Sequence, residues 1–280
     1  MKPIPVVFHL GPLQIHTYGV GLAITFYVAY RYFVHRLEKR ALPSEWVSTM
    51  FVWVIGSAIV GARFLHVVTN WSLYAQAPLD LFAIWHGGLS SFGGLLFAVP
   101  VALAVAHRRC PELGVTRGLD IVAPVLMAAW AMGRLLGPQL MVGGGGHPTS
   151  AWYGMAYAGE VGRRVPVPVI QAAEDAAVFL LLLLIERRLE HWPDGRPRVG
   201  YPPGIVTATT MILWGVERTL DEHFLLGDGA SLGSVLVQGA GILLVVGGVV
   251  LMVTTTRRWR SWLDTHAPTP PAAMPSTSAG

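Results

Sequence analysis

Long apolar runs, separated by short clusters of arginine and lysine, set the pattern of this chain. The runs extend from Thr17 to Val34, Trp46 to Val68, Ser90 to Ala106, Leu119 to Leu136, Val167 to Ile185, Gly204 to Leu220 and Leu232 to Val253. A hydrocarbon layer of about 30 Å takes about 20 helical residues to cross, so these runs predict seven transmembrane helices. The fourth and sixth are the least continuous, which leaves six or eight crossings open. Basic residues follow the odd-numbered runs: Arg36, Lys39 and Arg40; Arg108, Arg109 and Arg117; Arg187, Arg188, Arg196 and Arg198; Arg257, Arg258 and Arg260. With seven spans all four clusters fall on one side, and the positive-inside rule makes that side cytoplasmic. The expected fold is an all-α integral membrane protein with its amino terminus outside, its carboxyl terminus cytoplasmic and an outward-facing loop from Gly137 to Pro166.

The segments between the spans refine this picture. Leu79 to Trp85 is too short to cross, and Trp71, Tyr74 and Trp85 suit the headgroup level, so an interfacial or re-entrant segment is expected there. A cleavable leader is not expected, because the first run is preceded only by Lys2 and is followed by no small-residue cleavage site. The end of the chain is rich in Pro, Ser, Thr and Ala without periodicity, which predicts a disordered cytoplasmic tail at 261–280 after a membrane domain at 1–260.

Composition agrees with a bilayer environment: 53% of residues are hydrophobic and 13% charged, with a mean hydropathy of +0.52. The net charge of +4 comes from basic groups dispersed between apolar runs, a topological pattern that excludes a nucleic-acid partner. Cys110 is the only cysteine, so an internal disulfide is excluded, and its position after a basic cluster places it at a helix end.

Ionisable residues inside the spans carry the chemistry. Each costs about 2.5–3.5 kcal/mol at mid-membrane and needs a partner or a purpose. Arg63 and His66 lie late in the second run, Arg134 ends the fourth, Glu174 and Asp175 lie in the fifth, and Glu217, Arg218 and Glu222 end the sixth. Arg63, Arg134 and Arg218 share an expected depth near the outer leaflet, where planar guanidinium forks suit a phosphate or carboxylate. The plainer reading is that such arginines snorkel or satisfy buried carboxylates. Arg218 and Glu222 stand four apart, as a helical ion pair would. Glycine pairs at Gly87-Gly88 and Gly93-Gly94 permit either close helix packing or backbone exposure to a ligand. Gly143 to Gly146, before His147, forms either a flexible outer loop around a bulky substrate or a linker.

Taken together these residues resemble the bacterial prolipoprotein diacylglyceryl transferase family, from about Val6 to Gly248. The resemblance is carried by Leu10-Gly-Pro-Leu-Gln-Ile-His-Thr-Tyr-Gly19, Gly61-Ala-Arg63, Trp85-His-Gly-Gly-Leu-Ser-Ser-Phe-Gly-Gly94, Gly133-Arg134, His147-Pro148-Thr149 with Trp152 and Gly154, Val165 to Gln171, Arg218 with Glu222, and Gln238. It implies transfer of a diacylglyceryl group from phosphatidylglycerol to the lipobox cysteine of a preprolipoprotein at the outer face of the bacterial inner membrane. The implied partners are that lipid, the acceptor's signal peptide and other membrane lipids, and no metal or organic cofactor is implied. Arg134 and Arg218 would bind phosphate, with Glu222 orienting Arg218. Tyr18, Arg63, Gly87, Gly88, Gly93, Gly94, His147 and Gln171 would bind substrate.

The chain departs from the family where proton transfer is concerned. Phe92 replaces a histidine found in many members, and Leu135 to Gly146 holds none of the usual asparagines or glutamate. Gln171 replaces a glutamate, and Leu225 an arginine. His147, His86 and Glu160 are the candidate substitutes, set against the plainer reading of each as a solvated interfacial residue. A catalytically inactive paralogue that binds phospholipid headgroups is therefore the alternative expectation.

Overall fold

The computed structural model describes residues 8–10, 13–15, 17–75, 80–81, 90–137, 144–157, 160–190, 200–226 and 232–266. A short antiparallel hairpin pairs β1 (Phe8–Leu10) with β2 (Leu13–Ile15), His9 opposite Gln14. The sequence pattern predicts no strand here, because three-residue strands are too short to register as alternation. Helices follow: α1 (Thr17–Glu38), α2 (Trp46–Thr69), the single turn α3 (Trp71–Tyr74), α4 (Ser91–Arg109), α5 (Val115–Leu136), α6 (Val167–Glu190), α7 (Ile205–Asp221) and α8 (Leu232–His266).

Seven of these are long, and they coincide with the seven apolar runs. Four contain stretches long and apolar enough to cross a membrane: Trp46–Thr69, Val115–Leu136, Val167–Glu190 and Val237–Thr265. Large apolar side chains such as Val52, Trp53, Leu96, Leu184 and Leu243 are exposed on the helix surfaces, which in water would be unstable and in a bilayer faces lipid tails. The chain is a multi-pass all-α membrane protein. The last helix continues to His266, beyond the tail boundary expected at 260, and residues 267–280 lie outside the described residues. So does most of the expected interfacial segment, of which Asp80 and Leu81 are described.

Helix pairing places α5 at the centre, packed on α1, α6 and α7, while α2 pairs with α4 and α7 with α8. Small residues make the two tight pairs. A methyl group at Gly93 would collide with the carbonyl oxygen of Gly61, and one at Gly215 would lie 2.5 Å from that of Gly241. Such close backbone approach is how helices associate in lipid, where no hydrophobic force drives them together.

The basic end of the bundle is held by polar ties. Arg36 donates through Nη2 to Glu186 at 2.5 Å and through Nε to the Ile121 carbonyl at 2.8 Å, joining α1, α6 and α5. Asp120 caps α7 from a distance, its oxygens accepting from the amides of Gly204 at 2.6 Å and Thr207 at 2.8 Å and from the Thr207 hydroxyl at 2.7 Å. These are the orphan donors of a helix start, and a carboxylate also complements the helix dipole there. Beneath them Phe33, Leu37, Trp46, Leu113 and Ile121 pack with Cys110 in a buried cluster.

Candidate functional site

The opposite end of the bundle gathers most of the ionisable residues that the spans bury. Arg134 stands in the last turn of α5. Gln171, Glu174 and Asp175, spaced i, i+3 and i+4, share one face near the start of α6, and Glu217, Arg218 and Asp221 occupy the last turn of α7. Arg134 donates through Nε to Asp175 at 2.8 Å and through Nη1 to the side-chain carbonyl of Gln171. The Gln171 amide donates to Asp221 at 2.7 Å, and the same carboxylate oxygen of Asp221 accepts from Nη2 of Arg218. A continuous relay, Asp175 to Arg134 to Gln171 to Asp221 to Arg218, thus joins three helices. An amide can accept from Arg134 through its oxygen while donating to Asp221 through its nitrogen without carrying charge, which suits a glutamine to the middle of the relay.

The cluster is deeply buried yet incompletely satisfied. Asp175 is 0% exposed, Arg134 5% and Glu217 8%. Both carboxylate oxygens of Glu217, one each of Glu174 and Asp175, and Nε of Arg218 have no hydrogen-bond partner among the described residues. Glu217 lies 3.9 Å from Arg218, an electrostatic contact beyond hydrogen-bond reach. Buried polar atoms without partners are costly and uncommon, and they concentrate where a substrate, ion or proton completes the set.

Arg134 also belongs to a second feature. An apolar cavity of about 600 Å³ extends between α1, α2, α4 and α5, from Cys110 at the basic end to Arg134 at the other. Its wall includes Phe26, Met50, Ala58, Leu95, Val122 and Trp130. Among the residues lining it, Arg134 supplies the one guanidinium, and its Nη2 has no hydrogen-bond partner among the described residues. A long hydrocarbon slot ending at a cation has the polarity of a phospholipid.

A sequence model of the prolipoprotein diacylglyceryl transferase family matches residues 5–254. The chain belongs to this family. Its relatives include proteins named phosphatidylglycerol–prolipoprotein diacylglyceryl transferase from Pseudoalteromonas atlantica, 29% identical across 91% of this chain and 90% of the relative, and from Lactobacillus acidophilus, 34% identical across 46% of each. That from Lactobacillus gasseri is 35% identical over the same shares. In the Lactobacillus comparisons the chain spans about half the length of the relative.

Membership in the transferase family gives the expected site residues a frame, and the structure distributes them unevenly. Arg134 and Arg218 come together through Gln171 and Asp221. The expected partnership of Arg218 with Glu222 is corrected: the carboxylates within 4.0 Å of Arg218 among the described residues are Asp221 and Glu217. The backbone between them is regular, Glu222 having helical dihedrals and its amide bonding to the Arg218 carbonyl, and the guanidinium turns instead to Asp221, three residues on. Glu222 itself is buried.

Arg63 does not join Arg134 in lining the cavity. It donates to the backbone carbonyls of Asp80 and, at 3.0 Å, Leu81, and its guanidinium lies 5.1 Å from the Tyr74 ring centre. The shared depth of three arginines therefore resolves into an α5–α7 pair and a separate anchor for the segment after α3. Gly93 is a helix contact, whereas Gly94 lines the cavity. Gly87, Gly88 and His86 lie outside the described residues, and for Tyr18 only the backbone, in the first turn of α1, is described.

His147 is exposed in the loop that covers this end. Its backbone donates to the Leu225 carbonyl at 3.1 Å and accepts from Val165 at 3.0 Å. Glu160 pairs with Arg164 in the same loop. Asp221 is the site residue that the sequence reading passed over, although its i+3 spacing from Arg218 was the available signal.

Proposed function

We propose that this chain transfers a diacylglyceryl group from phosphatidylglycerol to the lipobox cysteine of preprolipoproteins, at the outer face of the bacterial inner membrane. The observation that carries this reading is the apolar cavity ending at Arg134, which hydrogen bonds through Gln171 and Asp221 link to Arg218. Acyl chains occupy the slot and the phosphate lies at the guanidinium end. The cysteine thiolate attacks the glycerol carbon that bears the phosphate, a carbon–sulfur bond forms, and the carbon–oxygen bond to glycerol phosphate breaks. Positive charge at Arg134 and Arg218 stabilises the negative charge gathering on the departing phosphate, an effect magnified in a water-poor site. Thiolate formation requires a base, and the exposed imidazole of His147 in the covering loop is assigned that role.

The same reading sets the seven helices across the membrane, with the amino terminus and the 144–166 loop outside and the Arg36, Arg109, Arg188 and Arg258 end in the cytoplasm. Purified protein supplied with labelled phosphatidylglycerol and a lipobox peptide yields a thioether-linked diacylglyceryl peptide, identified by mass spectrometry. No product with intact protein and varied acceptors refutes transfer. The second reading, a headgroup-binding paralogue without turnover, draws on the protein carboxylates that already engage both arginines, and it requires lipid binding without product.

A further inference from the structure

We infer that Glu174, Glu217 and Asp221 form a binding site for a hard divalent cation, magnesium or calcium, beside the two arginines. One carboxylate oxygen from each residue lies within 4.8 Å of those from the other two. Two oxygens on opposite sides of a cation at about 2.4 Å stand about 4.8 Å apart, so the three oxygens fit around one ion. All three ligands are carboxylates, which select hard cations over zinc or copper.

A second observation points to a ligand independently of the clustering. Glu217 is 8% exposed and neither of its oxygens has a hydrogen-bond partner among the described residues. Helix α7 holds that carboxylate at the cluster, and Arg218 approaches it only to 3.9 Å. Asp175, wholly buried and bonded through one oxygen to Arg134, has its other oxygen unpartnered as well.

Charge makes the same demand. Arg134 and Arg218 face Glu174, Asp175, Glu217 and Asp221, so with every group ionised the cluster carries two uncompensated negative charges. Uncompensated charge in a buried site is strongly unfavourable. One divalent ion neutralises it. The consequence bears on the proposed reaction, on which this role of the ion rests: a phosphate approaching Arg134 meets a neutral cluster, and the ion's remaining positions are open to water or phosphate oxygen.

The test reads cation binding without any lipid or peptide substrate. Chelator-treated full-length protein in detergent is titrated with manganese and followed by electron paramagnetic resonance, with thermal unfolding in magnesium, calcium or chelator alongside. Saturable binding of one manganese ion per chain, displaced by magnesium or calcium, and a raised unfolding midpoint are expected. Glu217→Gln and Asp221→Asn each weaken binding by at least about 10-fold, the lower bound seen for lost supporting groups around metal ligands. Glu190→Gln, at the basic end, leaves it unchanged. Should the variants fail to fold, the wild-type titration alone decides. Folded wild-type protein that binds no manganese, with Glu217→Gln as stable as wild type under chelation, overturns the inference and assigns the charge balance to protons. Cation binding without thioether product retains the site and rejects the transferase reading; product formation that is unaffected by chelation, without manganese binding, does the reverse.

Discussion

At the scale of single residues, the two arginines differ from ordinary membrane arginines in what surrounds them. Each is joined to a carboxylate, yet Arg218 keeps an unpartnered Nε and Arg134 reaches a cavity. Lysine at either position keeps the charge and loses the planar fork. Arg134→Lys and Arg218→Lys are expected to lower turnover about 10²-fold, comparable to removal of one preorganised donor, while lipid affinity falls much less. Single-turnover product formation and lipid binding, measured side by side, check this; equal losses identify a uniform headgroup anchor. Cys110 has no part in the chemistry: it is packed at the basic end, and burial together with Glu112 at 3.4 Å pushes its thiol up from the ordinary range. The need for partners was legible at Arg134, Glu174, Asp175 and Arg218, because charge in an apolar run is conspicuous. The identity of those partners was not, since Arg134 and Asp175 are far apart in sequence and their meeting depends on how α5 packs against α6.

At the scale of elements, glycine divides into contacts that helices require and positions they do not. Gly93 in α4 meets the Gly61 carbonyl of α2, whereas a methyl group on Gly56 of α2 would meet nothing within 4 Å. Gly93→Ala is therefore expected to destabilise the protein by about 1–3 kcal/mol through overpacking of the α2–α4 pair. Gly56→Ala should be neutral or stabilising by up to about 1 kcal/mol through helix propensity. Unfolding midpoints of the two variants in one detergent test the contrast, and a Gly93→Ala protein as stable as Gly56→Ala removes the packing role. Both readings of the glycine pair, packing and ligand exposure, were open in the sequence. The structure divides them between neighbours, with Gly93 at the helix contact and Gly94 on the cavity wall. The end of α7 belongs to this scale too, because within a regular turn Arg218 pairs with the i+3 carboxylate of Asp221 and not with the i+4 one that spacing alone suggested.

At the scale of the whole molecule, the two ends of the bundle are chemically unlike. One end carries the basic clusters and the Arg36–Glu186 tie, and the other carries the Arg134–Arg218 relay. A reporter fused after Arg40, Arg109, Arg198 or Arg260 is expected to report cytoplasm, and one inserted near Gly145 the outer side. An outward signal at Arg198 refutes the seven-span arrangement and, with it, an outward-facing site.

What the sequence determined by itself was the class of molecule, the seven long helices and the family, since hydropathy, basic clusters and local motifs are all written along the chain. Helix ends moved by several residues, as at His266, because backbone hydrogen bonding carries a helix on through polar residues beyond its apolar stretch. What only the tertiary structure decided was which charges meet. Arg63 separates from the other arginines because α2 pairs with α4, whereas Arg134 and Arg218 converge because α5, α6 and α7 pack together around Gln171. The cavity beneath Arg134 has contributions from four helices and so has no signature in any one of them. In a bilayer each buried charge must find its complement within the protein, and helix packing, which no single stretch of sequence encodes, selects that complement.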